Sequence, residues 1–96
     1  MDSNEKRVAT LDLIRQRKVA YQLVFGHEGG TAVIDDLKRF CRAEDSCFHP
    51  DPRNHAVLEG RRQVWLRIER HLKLSIEGIA HHYYGFAPST GDRDDE

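Results

Sequence analysis

Pro50-Asp51-Pro52 is the strongest constraint on this chain: proline has no amide donor and holds the residue before it away from helical angles, so no helix runs through the triplet. On both sides of it apolar residues recur at offsets of three and four. No stretch alternates apolar and polar residues over a useful strand length, and the sequence holds no internal repeat. The expected fold class is all-α, a small bundle of three main helices plus a short C-terminal helix, with flexible termini.

The first helix is expected from about Thr10, as N-cap, to Phe25, with Leu11, Ile14, Tyr21, Val24 and Phe25 on one face and Gly26 as its stop. Lys18 interrupts that stripe. A second helix is expected from near Thr31, after His27-Glu28-Gly29-Gly30, with Val33, Ile34, Leu37, Phe40 and Cys41 inward and Asp35 and Asp36 outward in its first turns. A polar connection from about Arg42 to Arg53 follows, in which Phe48 is expected to plug the open end of the core. Asn54 is the expected N-cap of the longest helix, which runs to about Leu74 and turns Val57, Leu58, Val64, Trp65, Ile68, Leu72 and Leu74 inward. Gly60 inside it costs roughly 1 kcal/mol against alanine, which suits a close backbone approach there. Ser75 caps a short fourth helix with Ile76, Ile79, Ala80 and Tyr83 apolar. The expected core is thus Tyr21, Phe25, Leu37, Phe40, Phe48, Val64, Ile68 and Leu72.

A chain of 96 residues has room for one modest core. The expected organisation is a flexible stretch over 1–9, a single helical domain over 10–88 and a disordered acidic tail over 89–96. With 39% hydrophobic against 32% charged residues, the core is thin, and self-association would help complete it. The net charge of −1 hides an uneven distribution: +2 over residues 1–25, −2 over 26–55, +3 over 56–74 and −4 over 75–96. Such asymmetry favours docking on complementary protein surfaces at least as readily as on nucleic acid. Cys41 and Cys47, with no signal-like apolar segment ahead of them, are expected as reduced thiols. No apolar run approaches the length of a membrane-spanning helix.

The residues that invite chemistry fall into four groups. Cys41, Cys47, His49 and His55 are a zinc-type donor set, but the cysteines stand six positions apart rather than two to four, and Cys41 lies on an apolar stripe. His81 and His82 are neighbours and point about 100° apart on a helix, so they do not converge on one ion; with Tyr83 and Tyr84 they read as packing or contact aromatics. Arg61, Arg62, Arg67, Arg70 and Lys73 make the third helix basic, although Glu59 and Glu69 lie among them. Asp51, Arg53, Glu59 and Arg62 suggest ion pairing, with Glu59 holding an arginine so that the proline loop is pinned to the third helix. There is no glycine-rich phosphate loop, serine elbow or His-Glu-x-x-His motif, so neither an enzyme, nor a cofactor, nor a small-molecule substrate is expected.

Four stretches carry a resemblance: Tyr21–Phe25 with Gly26; Gly30 followed by Val33-Ile34-x-x-Leu37 and Phe40-Cys41; Phe48-His-Pro-Asp-Pro-Arg53; and Glu59-Gly60-Arg61-Arg62-x-Val64-x-Leu66-x-Ile68. They resemble a family of small tailed-phage proteins typified by a short protein of a Bordetella podovirus, often encoded near terminase and portal genes. The likeness covers about residues 20–74. It implies a phage origin and a role tied to the virion or its assembly, in the host cytoplasm during infection or within the particle. It carries over no active site. The expectation is a non-enzymatic virion-assembly or DNA-packaging accessory that docks on a larger phage protein such as a portal, terminase or capsid component. The alternative is a small DNA-associated or host-modulating protein that uses the basic third helix.

Overall fold

The computed structural model describes residues 2–87, and the expected acidic tail over 89–96 lies outside them. Four helices follow in order, α1 (Ser3–Phe25), α2 (Glu28–Phe40), α3 (Pro52–Lys73) and α4 (Ile76–Tyr84), and among the described residues there is no strand. The fold class is all-α.

Three helices start earlier than propensity and stripe suggest, each because a polar side chain satisfies an orphan amide. α1 begins at Ser3 rather than near Thr10. Asp2 Oδ1 accepts from the Glu5 amide at 2.8 Å while Glu5 Oε1 accepts from the Asp2 amide at 3.3 Å, a reciprocal capping box that orders the first turn despite its lack of apolar residues. α2 begins at Glu28 rather than Thr31, because His27 serves as N-cap and its Nδ1 accepts from the Gly30 amide at 3.2 Å. α3 begins at Pro52 rather than after Asn54. Asp51 is its cap, with Oδ1 2.9 Å from the Arg53 amide, and Pro52 stands at the first helical position, where a missing N–H costs nothing. Ser75 caps α4 by accepting from the Gly78 amide at 2.9 Å, and left-handed Gly85 (φ 71°) closes it.

Contacts within the chain gather into two compact units, Met1–Leu23 with Arg70–Glu96, and Val24–Glu69. In the first, Ile14, Ile79 and Ala80 form a fully buried centre, with Leu11, Leu74, Ile76, Tyr83 and Phe86 packed around it. His71, only 1% exposed, lies in the same unit, its ring stacked on Tyr21 at 4.4 Å between centroids and 5.9 Å from Tyr83. The cations that break the stripe of α1 have assigned tasks. Lys18 Nζ donates to the carbonyls of Leu74 (2.7 Å), His71 (3.2 Å) and Leu72 (3.5 Å), holding the carbonyl-rich end of α3 where the helix dipole favours a positive charge. Arg17 donates to the Tyr84 hydroxyl at 3.0 Å, and the Arg7 guanidinium lies 4.6 Å over the Phe86 ring.

In the second unit the buried residues are Gly30, Cys41, Cys47, Trp65 and Ile68. A Cβ on Gly30 would collide with the Val24 carbonyl oxygen and come within 2.6 Å of the Phe25 Cα, so the turn between α1 and α2 accepts no side chain there. Gly60, expected at a close helix contact, has nothing within 4 Å of the place where its Cβ would be.

Candidate docking interface

The expected core residues of the second unit divide by register. At about 100° per residue, Gly30, Ile34, Leu37 and Cys41 share the inward face of α2, and Phe40 stands roughly 90° from its centre. The ring is accordingly 57% exposed. On α3 the inward positions go to Leu58, Trp65 and Ile68, and Val64 falls on the flank, 58% exposed. Phe48 does not plug the core either. Cys47 takes the buried place while Phe48, its neighbour on an irregular backbone, is 72% exposed and tilted against His55 at 6.0 Å. Among the other expected core residues Ile68 is buried, and Tyr21, Phe25, Leu37 and Leu72 are half-buried.

Three of the arginines singled out in the sequence, Arg61, Arg62 and Arg70, do other work than pairing with acids. Arg62, half-buried, donates from Nη1 to the carbonyls of Ala43 (2.9 Å) and Arg42 (3.2 Å), closing the turn after α2. Arg42 occupies the left-handed region with φ 55°, unusual for a residue with a side chain. The Arg61 guanidinium lies 4.6 Å over the Phe40 ring. Arg70, in the first unit, donates to the Tyr83 hydroxyl at 3.5 Å. Glu59 pairs with no arginine among the described residues, so the proline loop is held differently. His55 Nδ1 lies 3.0 Å from the Cys47 carbonyl, and His49 Nδ1 accepts from the Asp51 amide at 3.0 Å. Both imidazoles therefore serve the backbone of the loop, and among the described residues no three His, Cys, Asp or Glu side chains converge as a metal site.

These placements leave one continuous exposed strip on the second unit. Arg53, Val57, Gly60, Arg61, Val64 and Arg67 fall within a sector of roughly 120° on α3, and every one of them is exposed. Phe40 and Val33, on one helical face of α2 with exposed Asp36 between them, adjoin it through the Arg61–Phe40 contact. Glu59 and Glu69, which the linear sequence sets among the arginines, point about 140° from the centre of this strip. Both are half-buried. Between Arg53 and Arg67 the strip thus holds only valine, glycine and arginine, and beyond Arg67 the same sector passes to buried Ile68 and His71. A guanidinium held over an aromatic ring keeps its in-plane N–H donors for other partners, so the patch combines apolar contact with directional donors.

A family model described as Bbp19-like phage protein matches residues 21–81, well over half of the chain. The chain belongs to the Bbp19-like phage protein family. No curated protein and no solved structure matches it. The family match takes in the whole of α2, α3 and the loop between them, hence the entire strip, and it reaches into α4 as far as His81, beyond the 20–74 stretch that carries the resemblance. No described helix is long and apolar enough to cross a membrane.

Two residues of structural weight escaped the sequence reading. Asp2 was legible as the first member of an Asp-x-x-Glu capping box. His71 carried no signal, because a histidine between Arg70 and Leu72 on a basic helix reads as surface until a second element supplies the ring it stacks on.

Proposed function

We propose that this member of the Bbp19-like phage family is a non-enzymatic accessory of virion assembly or DNA packaging, which docks on a larger phage protein through the exposed strip of α2 and α3. The observation that supports this reading is the placement of Phe40, Val57 and Val64 in solvent around Arg61, with Phe40 57%, Val57 51% and Val64 58% exposed. Grouped apolar side chains rimmed by cations on so small a protein suit a protein contact. Quantitative mass spectrometry of purified virions and of empty precursor shells tests it. A fixed low copy number in either particle is the expected result, and absence from both would overturn the assembly reading.

A second reading, a DNA-associated or host-modulating protein, draws support from the exposed arginines of α3, which share their face with no acid of that helix. The apolar residues interleaved with those arginines, and the use of Arg62 on loop carbonyls, weigh against it. Binding to duplex DNA that falls steeply with added salt would favour it.

A further inference from the structure

Gly60 has no internal reason to be glycine. It sits in the interior of α3, it is exposed, nothing lies within 4 Å of its absent Cβ, and it does not adopt a positive φ. In that position glycine costs about 1 kcal/mol of stability relative to alanine. Its neighbours on the helix surface are Val57, Arg61 and Val64 at offsets of three, one and four, all exposed, so Gly60 is a flat spot at the middle of the strip. A glycine at such a point lets a second helix axis come in to the close end of the usual separation of about 8–10 Å.

We infer that the strip receives an amphipathic helix of another protein, one with small apolar residues over Gly60 and carboxylates along its edges. This rests on the docking reading above and names the chemistry of the partner. Charge decides the partner type. The α3 strip carries Arg53 and Arg61 and no acid, and the adjoining α2 face adds one acid, Asp36, so the surface is cationic on its α3 side and carboxylates on the incoming helix find partners there. A second copy laid α3 against α3 would set these arginines against each other, which disfavours self-association here. A nucleic acid backbone would leave Val57, Val64 and Phe40 against phosphate, without the apolar contact they offer. Arg61, already oriented by Phe40, gives up less side-chain freedom on pairing than an unsupported arginine.

The test is site-specific photocrosslinking in cells infected with the source phage. Val64 is replaced by benzoylphenylalanine, with Asp35, exposed on the other side of α2, as the control position, and the crosslinked peptide is sequenced by mass spectrometry. The expected product is a helix-forming segment of another protein, with small apolar residues flanked by Asp or Glu. Its yield should fall at least about tenfold with Arg61→Glu and with Gly60→Leu, both exposed changes that leave helix content intact by circular dichroism. It should survive Gly60→Ala, and should return in Arg61→Glu when the facing carboxylate is exchanged for lysine. Crosslinks to a second copy, to nucleic acid or to a basic or extended segment would overturn the inference, as would a yield no higher than at Asp35. Detection in particles without the acidic-helix crosslink would remove this inference and leave the accessory role standing.

Discussion

Tyr21 and His71 stack with ring centroids 4.4 Å apart and planes within 20°, joining α1 to the last turns of α3 inside the first unit. The imidazole is almost wholly shielded from water, so its removal leaves a void lined by the two tyrosine rings. His71→Ala is expected to cost about 2–4 kcal/mol, in the range of large-to-small core changes. A double-mutant cycle with Tyr21→Ala should return a coupling of about 1 kcal/mol by urea denaturation; additive effects would mean the rings are merely adjacent.

Lys18 holds three carbonyls at the end of α3 and, through burial, has its ammonium pushed below the usual lysine range. Lys18→Met keeps the length of the side chain and removes the donors. Loss of about 1–3 kcal/mol is expected, since half-buried carbonyls are left without their charged partner. Thermal unfolding followed by circular dichroism reads this directly, and an unchanged midpoint would show that water replaces the ammonium at no cost.

The glycines should respond in opposite directions. Gly60→Ala is expected to stabilise the isolated protein by roughly 1 kcal/mol, because the helix gains propensity and meets no neighbour. Gly30→Ala should destabilise it by more than that, because the obstacle is the backbone of Val24 and Phe25 and not a movable side chain. Denaturant midpoints of the two variants decide the matter.

Arg42 and Arg62 together shape the turn after α2. Arg42→Gly is expected to gain about 1 kcal/mol by relieving a left-handed backbone conformation, while Arg62 can still reach the same carbonyls. Arg62→Met should lose about 1 kcal/mol, chiefly through the part-buried Ala43 carbonyl, since the exposed Arg42 carbonyl still accepts from the Asp45 amide at 3.3 Å. Equal effects of both substitutions would contradict this division of labour.

His82 is held below the ordinary histidine range, first by partial burial, then by the positive charges of Arg70 and His81. A neighbouring cation disfavours the imidazolium, so Arg70→Gln should raise the titration midpoint of His82. The rise should stop short of the unperturbed value because burial and His81 remain. Proton NMR of the imidazole resonances between about pH 4 and pH 8, a window that brackets the ordinary histidine range, measures it. No movement on substitution would place Arg70 too far away to matter.

Periodicity and punctuation carried most of the secondary structure. Offsets of three and four gave the helices, Pro50 and Pro52 the break between α2 and α3, and Ser75 the start of α4, because these features act within a few residues through local sterics and hydrogen bonding. The family was legible in residues such as Gly30, Phe40, Pro50 and Arg61, and the model match over 21–81 includes them. The early starts of α1 and α3 were also local, written in Asp2 with Glu5 and in Asp51 with Pro52, but an apolar stripe is the louder signal and the caps lie beyond its ends.

Helical register groups the apolar residues into faces, and tertiary structure decides which face is buried. Phe40, Val64 and Trp65 are all compatible with an inward stripe of a helix, and only the position of the neighbouring element selects Trp65 for burial and leaves the other two in solvent. The same holds for the charges. Linear order mixes Glu59 and Glu69 with the arginines of α3, and the helical turn separates them, but whether Arg61 meets a carboxylate or an aromatic ring depends on what α2 places opposite. The sequence by itself determined which segments are helical, where they stop and which family they belong to, since those depend on neighbours along the chain. The tertiary structure decided the buried set, the tasks of Lys18, Arg61 and Arg62, and the exposed strip, because each is set by contacts between residues distant in sequence.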